Sequence, residues 1–142
     1  MITTKKFLTI SVLVLAIFSA CTLFPGSNTN PLEGTEWELV TINESTPIPG
    51  RPITITFEDG EVHGSAGCNS YFGSYDARSG GITFGMLGWT AMACMDPEGI
   101  MQQEQEYMAF LSEVVAYQVE GNQLILENET QNQLTYQQTS TK

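Results

Sequence analysis

The sequence predicts an α+β fold: a compact, mostly antiparallel β-sheet or partly open barrel of about seven or eight strands, with one packed amphipathic helix before the last two strands. Three observations carry this reading. Short runs of alternating apolar and polar residues recur between turn signals, as half-buried strands require. One window alone switches to helical spacing, with Ile100, Tyr107, Met108, Leu111, Val114 and Val115 on a single face. Between them, Gly64-Ser65-Ala66-Gly67-Cys68-Asn69-Ser70-Tyr71-Phe72-Gly73-Ser74-Tyr75 combines small residues with aromatics. Small residues allow close backbone approach, and aromatics anchor a core.

The domain opens at Leu32, and Trp37 and Leu39 alternate with Glu36, Glu38 and Val40. Pro47, Pro49, Gly50 and Pro52 mark a loop. Ile53 to Phe57 is a second alternating strand, Asp59-Gly60 is a favoured two-residue hairpin turn, and Val62 to Ala66 returns. Tyr71 to Tyr75 forms the next strand, Asp76 to Gly81 a turn, and Gly81 to Phe84 leads into a strand-like stretch from Met86 to Met92. Asp96-Pro97-Glu98 reads as a helix start, with an N-cap, a proline at the first helical position and an acid in the first turn. A helix of about five turns is expected, its apolar face interrupted near one edge by Glu104. Gly121-Asn122 is a turn, Leu124 to Glu127 a strand, and Gln133 to Gln137 the closing strand. No repeat of 20–50 residues is visible.

The N-terminus reads as an address. Lys5-Lys6 precedes the apolar stretch Phe7 to Phe18, which has signal-peptide length. Phe18-Ser19-Ala20-Cys21 then resembles the lipobox of bacterial lipoproteins, in which the signal is cut before the cysteine and its thiol receives diacylglycerol. An aliphatic residue is usual where Phe18 stands. The alternative is an ordinary secretory signal or an uncleaved anchor, with Cys21 incidental. The expected organisation is a signal peptide over 1–20, a flexible tether over 21–32, a folded domain over 33–138 and a disordered tail over 139–142. Thr22, which is not Asp, points to an outer-membrane destination if the organism has two membranes. The partner implied is a membrane, held through Cys21.

The formal net charge is −11 over 142 residues. Without Lys5 and Lys6, only Arg51, Arg78 and Lys142 stand against sixteen acidic residues. Such a surface repels phosphate backbones, so nucleic acid is excluded as a partner. It also excludes docking on anionic lipid by charge alone. If Cys21 is lipidated, Cys68 and Cys94 are left as a pair, and an oxidising compartment favours a disulfide between them. Two buried free thiols are the alternative.

No catalytic residue is identified. His63 is the single histidine, and its strand spacing to Cys68 does not suit a Cys-His pair. The acids lack metal-ligand spacing, so no metal and no cofactor is expected. Tyr71, Phe72, Tyr75, Phe84 and Trp89 are candidates for a groove between helix and sheet that takes a lipid tail or a peptide. Their alternative role is to fill the core.

Taken in order, these pieces resemble the META domain, the HslJ-like (DUF306) family of bacterial lipoproteins. The match rests on Gly34-Thr35-Glu36-Trp37-Glu38-Leu39, Phe57, Gly67-Cys68-Asn69-Ser70-Tyr71-Phe72-Gly73-Ser74-Tyr75, Thr90-Ala91-Met92-Ala93-Cys94, the helix, Gly121-Asn122 and Leu124-Ile125-Leu126. It covers about residues 33–138. The resemblance implies an antiparallel β structure with one helix and no established catalytic residues. It also implies links to heat shock, novobiocin tolerance, motility or virulence. The functional expectation is a lipid-anchored, non-enzymatic envelope protein supporting stress or antibiotic tolerance. The alternatives are a small-molecule, lipid or peptide binding module using a groove between helix and sheet, and a Cys-dependent enzyme; besides the membrane, the partner expected is an envelope protein or a small hydrophobic ligand.

Overall fold

The computed structural model describes residues 30–141; the signal region, Cys21, the tether as far as residue 29, and Lys142 lie outside the described residues. Nine strands and one helix follow in the order β1 (Thr35–Ile42), β2 (Thr54–Glu58), β3 (Glu61–Ser65), β4 (Ser70–Arg78), β5 (Gly81–Phe84), β6 (Gly88–Trp89), α1 (Ile100–Glu113), β7 (Val114–Glu120), β8 (Gln123–Asn128) and β9 (Gln133–Thr141). All pairings are antiparallel. The sheet order β3-β2-β1-β9-β8-β7-β5-β4 closes on itself because β4 also pairs with β3. The result is a closed eight-stranded barrel, with β6 laid beside β4 as a short ninth strand. Closure leaves no long open edge for another chain to pair with.

Period-2 patterning explains the walls. Thr35, Trp37 and Leu39 of β1 point inward while Glu38 and Val40 face out. Ile55 and Phe57 of β2, and Tyr71 and Tyr75 of β4, do the same. The Asp59-Gly60 hairpin turn forms as its residues predict, both at positive φ (55° and 76°). Trp37, Tyr71, Tyr107, Tyr136 and Phe57 are the largest fully buried side chains. Burial of each apolar side chain of this kind stabilises the fold by roughly 1.5–3 kcal/mol. The helix packs its Ile100, Tyr107, Met108, Phe110 and Leu111 inward.

Five local expectations are corrected. The helix does not start at Asp96-Pro97: Gly99 takes φ 83° at the N-cap, breaks the path from Pro97, and helix begins at Ile100. It is also shorter, 14 residues, because Val114 is already extended (ψ 134°) and the β-branched pair Val114-Val115 opens β7. Three strands therefore follow the helix. The stretch Met86 to Met92 is not a full strand, since only Gly88 and Trp89 pair, with Phe72 and Tyr71. The tether does not run as far as residue 32: Leu32 is fully buried, and its carbonyl accepts from the Thr35 hydroxyl. The C-terminal residues Thr139 to Thr141 belong to β9, paired with β1 through Glu36↔Ser140 and Thr35↔Thr141.

Candidate functional site

The glycine-rich turn, the segment before the helix and the helix itself meet at one buried carboxyl group. Glu104 is 4% exposed. Its Oε2 accepts from the main-chain N–H of Asn69 at 2.6 Å and of Cys68 at 3.2 Å, and its Oε1 accepts from Asn69 Nδ2 at 2.7 Å. Asn69 faces the other way as well. Its Oδ1 accepts from Thr90 Oγ1 and from the Met92 N–H, each at 2.7 Å, and its Nδ2 donates to the Met92 carbonyl at 3.2 Å. Beside this network Cys68 and Cys94 form a disulfide with Cα atoms 5.9 Å apart. The turn can be this tight because Gly67 takes φ 105° and a Cβ there would lie 3.0 Å from Ile100 Cδ1. Buried polar groups need partners. Here each finds one on a different element, so β4, the 90–94 segment and α1 are fixed together.

A second buried network crosses the barrel. Tyr71 Oη donates to the Thr54 carbonyl at 2.9 Å, so the 2.8 Å contact between Tyr71 and Tyr107 must be donated by Tyr107. Tyr136 donates to Tyr107 at 3.1 Å. The three hydroxyls thus form one directed chain ending on a main-chain oxygen. Burial pushes Tyr107 up to about 12, against hydrogen bonds with Tyr136 and Tyr71 that act the other way. Burial likewise holds Tyr71 and Tyr136 well above the ordinary tyrosine value. Near the opposite turn, Tyr75 donates to Glu33 Oε2 at 2.8 Å, which together with the Asp59 N–H lowers the Glu33 pKa.

The five aromatic candidates do not share a groove. Tyr71 and Tyr75 are buried in the barrel; Phe84 is partly buried and stacks on Phe57 with centroids 6.5 Å apart. Phe72 and Trp89 are 62% and 56% exposed and lie on opposite faces of the wall, since Trp89 pairs with inward-facing Tyr71 and Gly88 with outward-facing Phe72. Trp37 is a core residue whose Nε1 donates to Thr35 Oγ1 at 2.7 Å. His63 faces outward on β3, directly across from Phe72 and Thr56. Among the described residues no group of three His, Cys, Asp or Glu side chains is placed to hold a metal ion.

Two clefts do flank the helix. One, of about 410 Å³, lies between its first turns and the β1–β2 loop, lined by Ile42, Asn43, Ser45, Ile48, Gln103 and Glu106 among others. Gln103 Oε1 accepts from the Ile48 N–H at 2.7 Å, while its buried Nε2 has no partner. The other, of about 540 Å³, sits at the C-terminal end of the helix and includes Phe84, Glu113, Val114 and Asn128. Glu104 and Gln103 escape a reading of the sequence because a Glu-Gln-rich helix looks like a solvated face. The one available signal is the place of Glu104 on the apolar edge.

The family model of the META domain matches residues 30–141. Among solved structures, the chain is similar to a protein from Burkholderia xenovorans solved by NMR, with 31% identity, a TM-score of 0.63, and 77% of this chain and 84% of that chain covered. A second NMR structure shares 25% identity over 75% of this chain and 90% of the other, with a TM-score of 0.61. A DUF4847 family protein from Bacteroides vulgatus, at 16% identity and a TM-score of 0.55 over 79% and 96% of the chains, shares the fold. No match is found among curated proteins. With its strand order and its one helix in place, and with the family's pattern spanning the whole described domain, the chain belongs to the META domain family.

Proposed function

We propose that this protein is a lipid-anchored, non-enzymatic component of a bacterial cell envelope, held at a membrane by acyl chains on Cys21 and serving stress or antibiotic tolerance. The observation that carries the reading is Phe18-Ser19-Ala20-Cys21 behind a basic start and an apolar stretch, placed just before the domain. The tolerance role is carried over from the family resemblance. Against a Cys-dependent enzyme stands the bond between Cys68 and Cys94, which leaves neither of them a thiol for nucleophilic attack. Mass spectrometry of protein extracted from its own membranes tests the anchor. A mature N-terminus at Cys21 carrying a diacylglycerol mass is expected; cleavage elsewhere with no acyl mass overturns it. A deletion strain complemented with wild type or Cys21→Ser tests the role, with tolerance restored only by the acylated chain.

A second reading is favoured by Gln103, whose buried side-chain N–H₂ lacks a partner beside the 410 Å³ cleft. A small molecule or peptide with a carbonyl to offer would suit that donor. Titration with short N-acetylated peptide amides, followed by the side-chain amide signals of Gln103, tests it: shifts support binding, and unmoved signals at millimolar peptide remove it.

A further inference from the structure

Gln103 is 8% exposed, and its side-chain amide has one orientation open to it, because Oε1 accepts from the Ile48 N–H at 2.7 Å. Nε2 is thereby turned away from Ile48, buried and without a partner. Among the described residues it is the one buried side-chain nitrogen or oxygen left so. A buried donor that lacks an acceptor is costly, and an acceptor brought by a ligand removes that cost. Gln103 lines the 410 Å³ cleft between the first turns of α1 and the β1–β2 loop, a volume in the range of small-molecule sites. Ser45, Thr46 and Gln102 line the same cleft and are exposed, so rotation of side chains is enough to open a path to the donor.

The rest of the cleft narrows the ligand. Its main chain is already engaged. Ile42 and Ser45 exchange N–H and carbonyl groups at 2.8 and 2.9 Å, Asn43 N–H donates to the Gln133 carbonyl at 2.9 Å, and the Gly99 carbonyl accepts from the Gln103 N–H at 3.0 Å. An extended peptide that docks by main-chain pairing needs an open edge, and these residues offer none. Recognition falls to side chains: the hydroxyls of Ser45 and Thr46, the carboxamide of Gln102, and the Glu106 carboxylate to which Gln102 Nε2 donates at 3.0 Å. A carboxamide holds a donor and an acceptor side by side, and a hydroxyl is both, so ligand hydroxyls suit this wall. No Lys, Arg or His lines the cleft and Glu106 does, which disfavours an anion. Ile42 and Ile48 add apolar surface to the same wall.

We propose that this cleft takes an uncharged N-acetylated sugar, with its acetamido carbonyl accepting from Gln103 Nε2, its acetamido methyl group against Ile42 and Ile48, and its ring hydroxyls held by Ser45, Thr46, Gln102 and Glu106. This rests on the reading of Gln103 as a donor for a ligand carbonyl and adds the ligand's class: an acetamido sugar brings hydroxyls for the polar wall together with the carbonyl.

The test uses the disulfide-bonded chain from Thr22 onward, which holds the whole barrel, its core and its disulfide, and follows the side-chain amide signals of Gln103. N,N′-diacetylchitobiose carries both groups, N-acetylated peptide amides carry the carbonyl without ring hydroxyls, and cellobiose carries hydroxyls without the acetamido group. The diacetylated disaccharide is expected to saturate the shift and to bind at least about tenfold more tightly than either control, since each control forfeits hydrogen bonds. Gln103→Glu keeps an acceptor for the Ile48 N–H but removes the donor, and it is expected to lose the binding. Gln102→Ala, at an exposed position, is expected to weaken the disaccharide severalfold at an unchanged melting temperature. N-acetylglucosamine binding as tightly as the disaccharide marks a single sugar as the ligand, and weaker binding marks a glycan chain. Peptide amides that bind as tightly as the disaccharide overturn the sugar and leave the carbonyl reading standing. Cellobiose that binds as tightly overturns the acetamido contact, and signals unmoved by every probe overturn both readings.

Discussion

Glu104 Oε2 lies 2.6 Å from the main-chain nitrogen of Asn69, thirty-five residues away in the sequence, and both residues are buried. The contact joins the helix to the glycine-rich turn at the point where the disulfide joins that turn to Cys94. Glu104→Ala leaves three buried N–H donors without an acceptor and is expected to destabilise the fold by roughly 3 kcal/mol. Glu104→Gln, which turns an N–H₂ toward donors whichever way it faces, is expected to cost about 1–2 kcal/mol. Chemical denaturation of the two variants checks the order.

The disulfide closes a segment with a sequence separation of 26. Cys68→Ser is expected to lower stability by roughly 3–4 kcal/mol through the entropy of the unfolded chain. Melting with and without reductant is the check: wild type should fall and the variant should not move.

The tyrosine chain sets an alkaline limit. Tyr71, Tyr107 and Tyr136 all have pKa values raised in the fold, so the folded state holds their protons more tightly than the unfolded state. The stability they contribute is fully present below the ordinary value of about 10 and is lost as pH rises through about 12 for Tyr107. Phenolate absorbance should therefore rise for these three in a single step that coincides with loss of near-UV dichroism. Tyr107→Phe removes the middle donor and should lower the pH of that step.

At the acid end the sign reverses. Glu33 has its pKa lowered by the Tyr75 hydroxyl and the Asp59 N–H, so its contribution is present above 4.5 and is lost as pH falls through that value and below. Glu33 is exposed, so the effect is modest. Glu33→Gln or Tyr75→Phe should flatten the acid limb of melting temperature against pH.

Gly64 tests the barrel wall beneath the tyrosines. A Cβ there would sit 2.0 Å from the Thr54 carbonyl oxygen, the acceptor at the end of the tyrosine chain. Gly64→Ala forces main chain apart and is expected to destabilise by roughly 2–4 kcal/mol, in the range of overpacked or strained sites. Denaturation midpoints of Gly64→Ala and of Gly60→Ala, which has open space but positive φ, separate crowding from backbone strain.

Most of the barrel was legible because period-2 alternation and hairpin turns are local. Trp37, Leu39, Ile55 and Phe57 declare their face within five residues of sequence. The Asp59-Gly60 turn declares itself in two. The helix ends were less legible, because a proline behind an aspartate imitates an N-cap and a valine pair can continue a helical stripe. Gly99 and Val114 decided both ends through their backbone angles. Of the site, the Cys68–Cys94 pairing could be anticipated by counting cysteines, whereas Glu104 showed only as a break in the apolar face. Two of its three donors are main-chain N–H groups, which carry no mark in a sequence. The place of Trp89 turned on where β6 lies beside β4, a matter of long-range register.

Native-state amide hydrogen exchange at Asn69 and Met92 weighs the clasp itself. If Glu104 and Asn69 hold the turn and the 90–94 segment as one unit with the helix, both amides exchange only through global unfolding, and Glu104→Ala lowers the protection of both together. Exchange of Met92 at the rate of an open loop, with Asn69 protected and indifferent to Glu104→Ala, would contradict it.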